Sequence, residues 1–475
     1  MMKRITVNCG QLGVTSSSPT STHSCNKRPS RLLNFASSLL PNYYATSHNN
    51  NNTFIASASS SSIGGSEQLL DVGSKKKRKE IAGIDQDELV DPKLLADPDS
   101  YFCEFNGVHI HHKIYEAESN SQNQTNDVSQ QFNKLCFPMI LLHGFGASVF
   151  SWNKVMKPLA EATCSKVLAF DRPAFGLTSR VNLSSGKGDA KPLNAYSMAF
   201  SVLATLHFFD LLKAEKAILV GHSAGSLVAV NTYFEAPERV AALILIAPAI
   251  FAPLTTPKTV KENQSGQDNQ MKEDNSSVRK NPIVELYNSL SKIIKNIVKT
   301  ITEMMKPMIN ILNSLYRKLL SAILRSSPAI MLVRMAIDKF GTAAVRNSWY
   351  DPKQVSEHIL SGYTKPLRVK DWDRALVEFT AAMLLDEESN TKPAISKRLN
   401  EISCPVLIVT GDTDRLVPSW NAERLSRIIP GATLEVIKQC GHLPHEEKVE
   451  EFLSIIENFL RKLAGDSNKH LQAVL

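Results

Sequence analysis

The 475-residue chain predicts a doubly wound α/β fold, a mostly parallel sheet interrupted by one long helical insertion. Three observations carry this reading. Short continuous Ile/Leu/Val runs alternate with helical patterns, glycine-rich turns close several of those runs, and the alternation stops between residues 250 and 395. Unbroken apolar runs belong to strands covered on both faces, the condition of a parallel sheet with helices on either side.

Residues 1–66 contain neither Asp nor Glu, are rich in Ser, Thr and Asn, and carry Lys3, Arg4, Lys27, Arg28 and Arg31. This is transit-peptide composition without the continuous apolar segment of a secretory signal. Abundant Ser/Thr with sparse Arg points to the chloroplast (stroma or membrane surface) rather than the mitochondrion; the alternative is an ordinary disordered tail. Residues 67–97 read as a linker, whose basic run Lys75–Lys79 reads as solvated rather than as a nuclear signal. Order is expected from residue 98. Tyr101–Phe105 and Val108–Glu116 form a hairpin about Asn106-Gly107, a pair suited to a two-residue type I′ turn. His109 and His111 share a strand face there and read as cross-strand packing, not metal ligands. A polar stretch, Ser119–Asn133, lengthens the next loop.

The remaining strands are Met139–Leu142, Lys166–Phe170, Ala217–Val220, Ala242–Ile246, Val406–Thr410 and Thr433–Ile437. Helical patterns fall at 150–161, 196–213, 224–235, 419–428 and 446–463. The core is thus 98–249 with 396–465, followed by a tail at 466–475. The insertion, 250–395, begins with a polar loop, Thr255–Asn281, then shows apolar residues at helical spacing from Ile283 to Ile323. Pro307 is expected to divide that stretch into two helices. Such an insertion would cap the carboxyl edge of the sheet, where open α/β folds place ligands.

Composition excludes several classes. Of the net charge of +8, residues 1–80 hold ten Lys/Arg against three acids, so about +1 remains for the rest. The basic character therefore describes the leader, and no nucleic-acid partner is expected. Seven scattered cysteines, never C-x-x-C, argue for a reducing compartment and against a zinc site or disulfide framework. No uninterrupted apolar run reaches the roughly 18 residues that span a bilayer; the longest, near Ala241–Leu254, is broken by Pro248 and Pro253.

The chemistry centres on Gly221-His222-Ser223-Ala224-Gly225, a serine between two glycines on a strand-to-helix turn. Serine needs a base to act as a nucleophile, and the base needs an orienting acid. Both should follow past later strand ends. Gly411-Asp412-Thr413-Asp414 offers Asp414, with Asp412 as the fallback. Cys440-Gly441-His442-Leu443-Pro444-His445 offers His442, His445 reading instead as the start of the last helix. The oxyanion needs two donors, for which the N–H groups of Ala224 and of Phe145, in the loop His143-Gly144-Phe145-Gly146-Ala147, are the candidates.

Together these residues resemble the α/β-hydrolase superfamily over residues 98–465. The supports are the His143-Gly144 loop, the segment Asp171-Arg172-Pro173-Ala174-Phe175-Gly176-Leu177-Thr178-Ser179, the elbow at Ser223, the Gly411…Asp414…Pro418 loop and Gly441-His442. The resemblance implies a capped serine hydrolase of plant plastid type, with Ser223, His442 and Asp414 as triad. The Asp171 segment is similar to a D-R-P-G-F-G-x-S pattern of capped hydrolases, including carbon–carbon bond hydrolases of ring-cleavage products, although Ala174 stands where glycine is usual. Asp171 and Arg172 are expected to form a loop-fixing ion pair. Epoxide hydrolases and haloalkane dehalogenases of this fold use Asp at the elbow, so Ser223 argues against both.

Residues 282–325 carry seven Lys/Arg against Glu285 and Glu303, the composition of an interfacial amphipathic helix. Two readings stay open: the stripe packs over the active site only, or it also makes peripheral membrane contact. Either way Leu, Ile and Met line the pocket, which suits a small lipophilic substrate. The expected activity is ester cleavage by an acyl-enzyme, with no cofactor or metal. The alternatives are a carbon–carbon bond hydrolase, an acyltransferase, or a non-catalytic receptor.

Overall fold

The computed structural model describes residues 79–117, 137–181, 193–252, 282–385 and 394–474. The leader 1–66, the Ser119–Asn133 stretch and the Thr255–Asn281 loop lie outside the described residues.

Eight strands form the main sheet in the order β10-β9-β8-β7-β5-β6-β4-β3. They are β3 (Tyr101–Phe105), β4 (Val108–Tyr115), β5 (Met139–Leu142), β6 (Val167–Phe170), β7 (Ala217–His222), β8 (Val240–Ile246), β9 (Val406–Gly411) and β10 (Thr433–Ile437). Neighbours from β10 through β6 run parallel, while β4 is antiparallel to both β6 and β3. Asn106 and Gly107 both take positive φ, 48° and 76°, as the type I′ turn between β3 and β4 demands.

Side chains alternate between two cores, as the strand period of two requires. Ile140, Leu142, Leu168 and Phe170 point into a layer with Phe200, Phe208 and Val228. Their neighbours Met139, Leu141, Val167 and Ala169 point the other way, onto Trp152, Met156, Phe452 and Ile456. The covering helices are α1 (Met156–Thr163), α2 (Met198–Leu211), α3 (Ala224–Glu235), α9 (Ser419–Ile428) and α11 (Val449–Val474), the last preceded by the single turn α10 (Pro444–Glu447). Between β8 and β9 lie the inserted helices α4 (Pro282–Leu324), α5 (Ser327–Asn347), α6 (Glu357–Thr364) and α7 (Trp372–Leu385), then a single turn, α8 (Ile395–Arg398).

Three expectations are corrected. Residues 80–97 are already folded: β1 (Glu80–Ile81) and β2 (Ile84–Asp85) form a two-stranded hairpin. It is tied to the insertion, since Ala82 N–H donates to Asp338 and Trp372 Nε1 donates to Gln86. These partners lie more than 250 residues away, so a linker reading from local composition had nothing to detect.

Pro307 does not divide the amphipathic stretch, which stays helical from Pro282 to Leu324. A proline removes one hydrogen bond and forces a local adjustment, and a long helix can absorb both. The break comes instead at Ser326, whose side chain caps Ala329 N–H while Pro328 sits in the first turn of α5. The tail is likewise not separate, because α11 runs on to Val474.

Candidate active site

Every candidate functional residue stands at or just past the carboxyl end of β5, β7, β9 or β10. Ser223 follows β7 and precedes α3, with φ 49° and ψ −117°. Such a backbone is strained for any residue bearing a Cβ, at a cost of about 1–3 kcal/mol. Its surroundings hold it there. Ser223 N–H donates to the Ile246 carbonyl at 2.8 Å, and its own carbonyl accepts from Ser226 and Ala249. The flanking glycines are steric necessities: a Cβ on Gly225 would lie 2.0 Å from the Leu142 carbonyl oxygen, and one on Gly221 2.6 Å from Ser226 Cα. Ser223 itself is half-buried.

His442 and Asp414 meet from two different strand ends. His442 Nδ1 lies 2.7 Å from Asp414 Oδ2, both residues being buried. Asp414 is fixed by its other oxygen, which accepts the N–H groups of Leu416 (2.8 Å) and Val417 (2.9 Å). An ionised Asp414 can only accept, so His442 Nδ1 carries the proton and Nε2 is left as a base. Asp412 is exposed and turned to local partners, Thr413 Oγ1 and the Cys440 N–H.

The loop after β5 lies against the elbow. A Cβ built on Gly144 would sit 3.2 Å from Ser223 Cβ and 3.0 Å from His222 Nδ1. Gly146 takes φ 73°, which turns the chain after Phe145. Among the described residues the N–H groups of Phe145 and Ala224 have no acceptor, so both orphan donors remain available. His143, fully buried, shapes this loop: Arg172 N–H donates to its Nε2 at 3.0 Å, so its Nδ1–H must be the donor to the Gly144 carbonyl at 2.7 Å. Burial, with the nearby Arg172 charge, holds His143 at about 4, hence neutral.

The expected Asp171–Arg172 ion pair does not form. Asp171 pairs with His111 Nδ1 at 2.7 Å and accepts the N–H groups of Val149 and Leu177, each at 2.7 Å. Burial pushes its pKa up, but the His111 charge and hydrogen bond outweigh this and hold it at about 2. His111 packs across the strands on Phe102, with ring centroids 5.3 Å apart, as expected, and is in addition the partner of Asp171. Arg172 is buried over the rings of Phe175 and Phe379, at 5.4 and 5.7 Å. Both rings also touch Phe145. Its Nε and Nη2 have no hydrogen-bond partner. Ala174 adopts φ 78°, a left-handed conformation that explains why glycine is usual there.

Several residues escaped the sequence reading. The end of α5 is stitched to the histidine loop: the Ser348 carbonyl accepts His442 N–H at 2.6 Å, and a Cβ on Gly441 would lie 2.3 Å from it. Glu447 accepts the N–H groups of Gly441 and Tyr350, each at 2.8 Å. His222 Nε2–H donates to the His442 carbonyl at 3.0 Å. His445 is buried in ring contact with Trp152 (4.4 Å) and His222 (4.8 Å), and burial drops it to about 3. Next to it Glu446, bonded to the Tyr363 hydroxyl, is raised by burial to about 7. Of these, His222, Gly441 and His445 stand in the sequence motifs, but the contacts they make were not legible there. Among the described residues no group of three or more His, Cys, Asp or Glu is placed to hold a metal ion.

The family model for the alpha/beta hydrolase fold matches residues 138–449, about two thirds of the chain. The chain belongs to the α/β-hydrolase family. It is, in coarse class, a hydrolase of that fold. It is 22% identical over 327 residues to an uncharacterized hydrolase of Bacillus subtilis (strain 168), covering 68% of this chain and 89% of that protein. It is 25% identical over 339 residues to the 2-hydroxy-6-oxo-6-phenylhexa-2,4-dienoate hydrolase of Comamonas testosteroni, covering 68% of this chain and 87% of the other. The meta-cleavage product hydrolase of Pseudomonas fluorescens IP01 aligns with a TM-score of 0.46 at 18% identity, over 76% of this chain and 97% of that one.

Proposed function

We propose that this α/β hydrolase is a serine hydrolase that cleaves a carboxylic ester of a lipophilic substrate. The observation that carries the reading is the strained Ser223 elbow beside Gly144, together with the 2.7 Å pairing of His442 Nδ1 with Asp414.

In this mechanism His442 Nε2 takes the Ser223 proton as Oγ attacks the ester carbonyl. The N–H groups of Phe145 and Ala224 hold the oxyanion of the tetrahedral intermediate. His442 then returns its proton to the departing alkoxide, which leaves as the alcohol and an acyl-Ser223. Water, deprotonated by His442, attacks the acyl carbon; Ser223 is restored and the carboxylic acid leaves. Asp414 keeps the proton on Nδ1 and stabilises the imidazolium. The apolar cluster of Phe145, Phe175 and Phe379 beside the elbow supports a lipophilic substrate. The composition of residues 1–66 supports action in the chloroplast.

The test is a fluorophosphonate probe, which should label the wild type and fail to label Ser223→Ala. Labelling that persists in the variant refutes the assignment. Loss of such a serine or histidine typically lowers turnover by about 10⁶.

A second reading, carbon–carbon bond hydrolysis, is favoured by relatives in Klebsiella pneumoniae and Comamonas testosteroni whose names describe hydrolases of ring-cleavage products. Turnover of a 2-hydroxy-6-oxodienoate above that of p-nitrophenyl esters would favour it.

A further inference from the structure

The face of α4 turned away from the rest of the fold is apolar. Met305, Met308, Leu312, Leu315, Leu319 and Ile323 recur three or four residues apart and so share one stripe. All six are exposed, from 43% to 61% of their surface. Among the described residues the helix packs at its carboxyl end, where Leu320 and Leu324 are half-buried on another side and Arg325, just beyond, is held by Glu378 of α7 at 2.7 Å. Beyond the bend at Ser326, α5 exposes Met331, Leu332 and Met335 as well. A water-soluble surface seldom leaves so long an apolar stripe uncovered.

We infer that this stripe docks onto an anionic lipid bilayer. Charge complementarity points to that occupant. Residues 282–325 hold seven Lys/Arg against two Glu, and Lys292, Lys295, Lys299 and Lys318 are exposed. At about 100° per residue Lys292, Lys295 and Lys299 fall on the side away from the stripe, which gives the helix the basic polar face of an interfacial helix that acidic headgroups attract. The helix lies along the interface rather than crossing it. No single described helix is long and apolar enough to span; Asn310–Leu324 and Ser327–Asn347 reach that level only as a pair bent by 57°. The 43 residues of α4 make a rod of about 65 Å lying in the headgroup plane.

The carboxyl end of the same helix adjoins the site. Glu378, which anchors Arg325, precedes Phe379, whose ring contacts Phe145 beside the elbow. Docking would hold the enzyme at the lipid in which a lipophilic ester dissolves. This last step rests on the serine-hydrolase reading; the docking itself does not.

The experiment is flotation of the full-length protein with phosphatidylcholine vesicles, with and without phosphatidylglycerol. The wild type should float with the anionic vesicles. Leu315→Asp with Leu319→Asp should weaken binding by at least about tenfold. Lys292→Glu, Lys295→Glu and Lys299→Glu together should do the same, and added salt should weaken the wild type. Both variants should keep turnover of a soluble short-chain ester, which shows that the fold is intact. Unchanged flotation of the leucine variant overturns the proposal, because the basic leader would then be the binder. Equal binding to neutral and anionic vesicles also overturns it, as does a dimer that the leucine variant dissociates without any vesicle capture. A protein that floats as expected yet turns over no ester would sink the catalytic reading and leave docking standing.

Discussion

Replacing Asp414 by Asn tests the site more sharply than removing the serine, because it changes a tautomer while keeping a shape. In the wild type Asp414 Oδ1 holds the N–H groups of Leu416 and Val417, at 2.8 and 2.9 Å, and Oδ2 faces His442 Nδ1 at 2.7 Å. An asparagine keeps its carbonyl oxygen on the two N–H groups, so its amide nitrogen must face His442. That nitrogen can only donate. His442 Nδ1 then becomes the acceptor, its proton moves to Nε2, and the nitrogen that acts as base in the proposed mechanism can no longer accept a proton. The expected loss in turnover is about 10⁴, or about 5 kcal/mol of transition-state stabilisation. Stability should fall by only about 1–2 kcal/mol, the net worth of one charge-assisted hydrogen bond. The assay pairs hydrolysis of a p-nitrophenyl ester with urea denaturation, using Asp412→Asn as a control that should behave as wild type. If Asp414→Asn retains a tenth or more of the activity, Asp414 does not orient the base and the tautomer argument is wrong.

Other outcomes follow from the same contacts. Asp171→Ala strands the Val149 and Leu177 N–H groups and the His111 ring in a buried place, and should lower stability by about 4 kcal/mol in a denaturant titration. Gly225→Ala puts a methyl 2.0 Å from the Leu142 carbonyl oxygen; backbone must move, and a loss of about 3 kcal/mol in the same titration is expected. Acid should destabilise the protein through its buried neutral histidines. The His143 value falls from 6.5 to about 4 on folding, so the unfolded chain binds the extra proton. That contribution is complete above 6.5 and is lost as pH falls toward 4; at ~1.36 kcal/mol per unit it amounts to about 3 kcal/mol. His445, held at about 3, acts in the same direction. Glu446 opposes them: its folded value of about 7 lies above the ordinary 4.5, so its contribution is lost as pH rises between the two. Two histidines outweigh one glutamate, and the urea midpoint should drop between pH 6.5 and 4; a flat midpoint would contradict the burial of both rings.

What could be read from the sequence was what local pattern encodes. Unbroken strands such as Met139–Leu142 announce a sheet buried on both faces, and Asn106-Gly107 announces its turn. Gly221 announces the crowding around Ser223, because its neighbours there are Gly225 and Ser226; the Leu142 carbonyl that excludes a side chain at Gly225 belongs to another strand. What stayed hidden depends on residues far apart. The partner of Asp171 is His111, sixty positions earlier, and an Asp-Arg dipeptide suggested a nearer one. The Ser348 carbonyl that holds His442 leaves no trace in residue type, since any backbone has one. Pro307 misled because a proline's local penalty was weighed without the length of helix able to absorb it. The folding of residues 80–97 onto the insertion was invisible for the same reason as the Ser348 contact.

That Ser348 contact changes what kind of part the insertion is. The loops that carry His442 and Asp414 are both tied to the end of α5: Ser348 to His442, Arg415 Nη1 to the Trp349 carbonyl at 2.9 Å beside Asp414, and Glu447 to Tyr350. Residues 347–350 therefore form a seam shared by two modules, and neither module owns it. Grafting a foreign set of helices between β8 and β9 to alter substrate range would succeed only where the graft ends upstream of that seam. A clean excision of 282–385 would remove the carbonyl that sets the pitch of the histidine loop, leaving a sheet with its three chemical groups and no fixed angle between them.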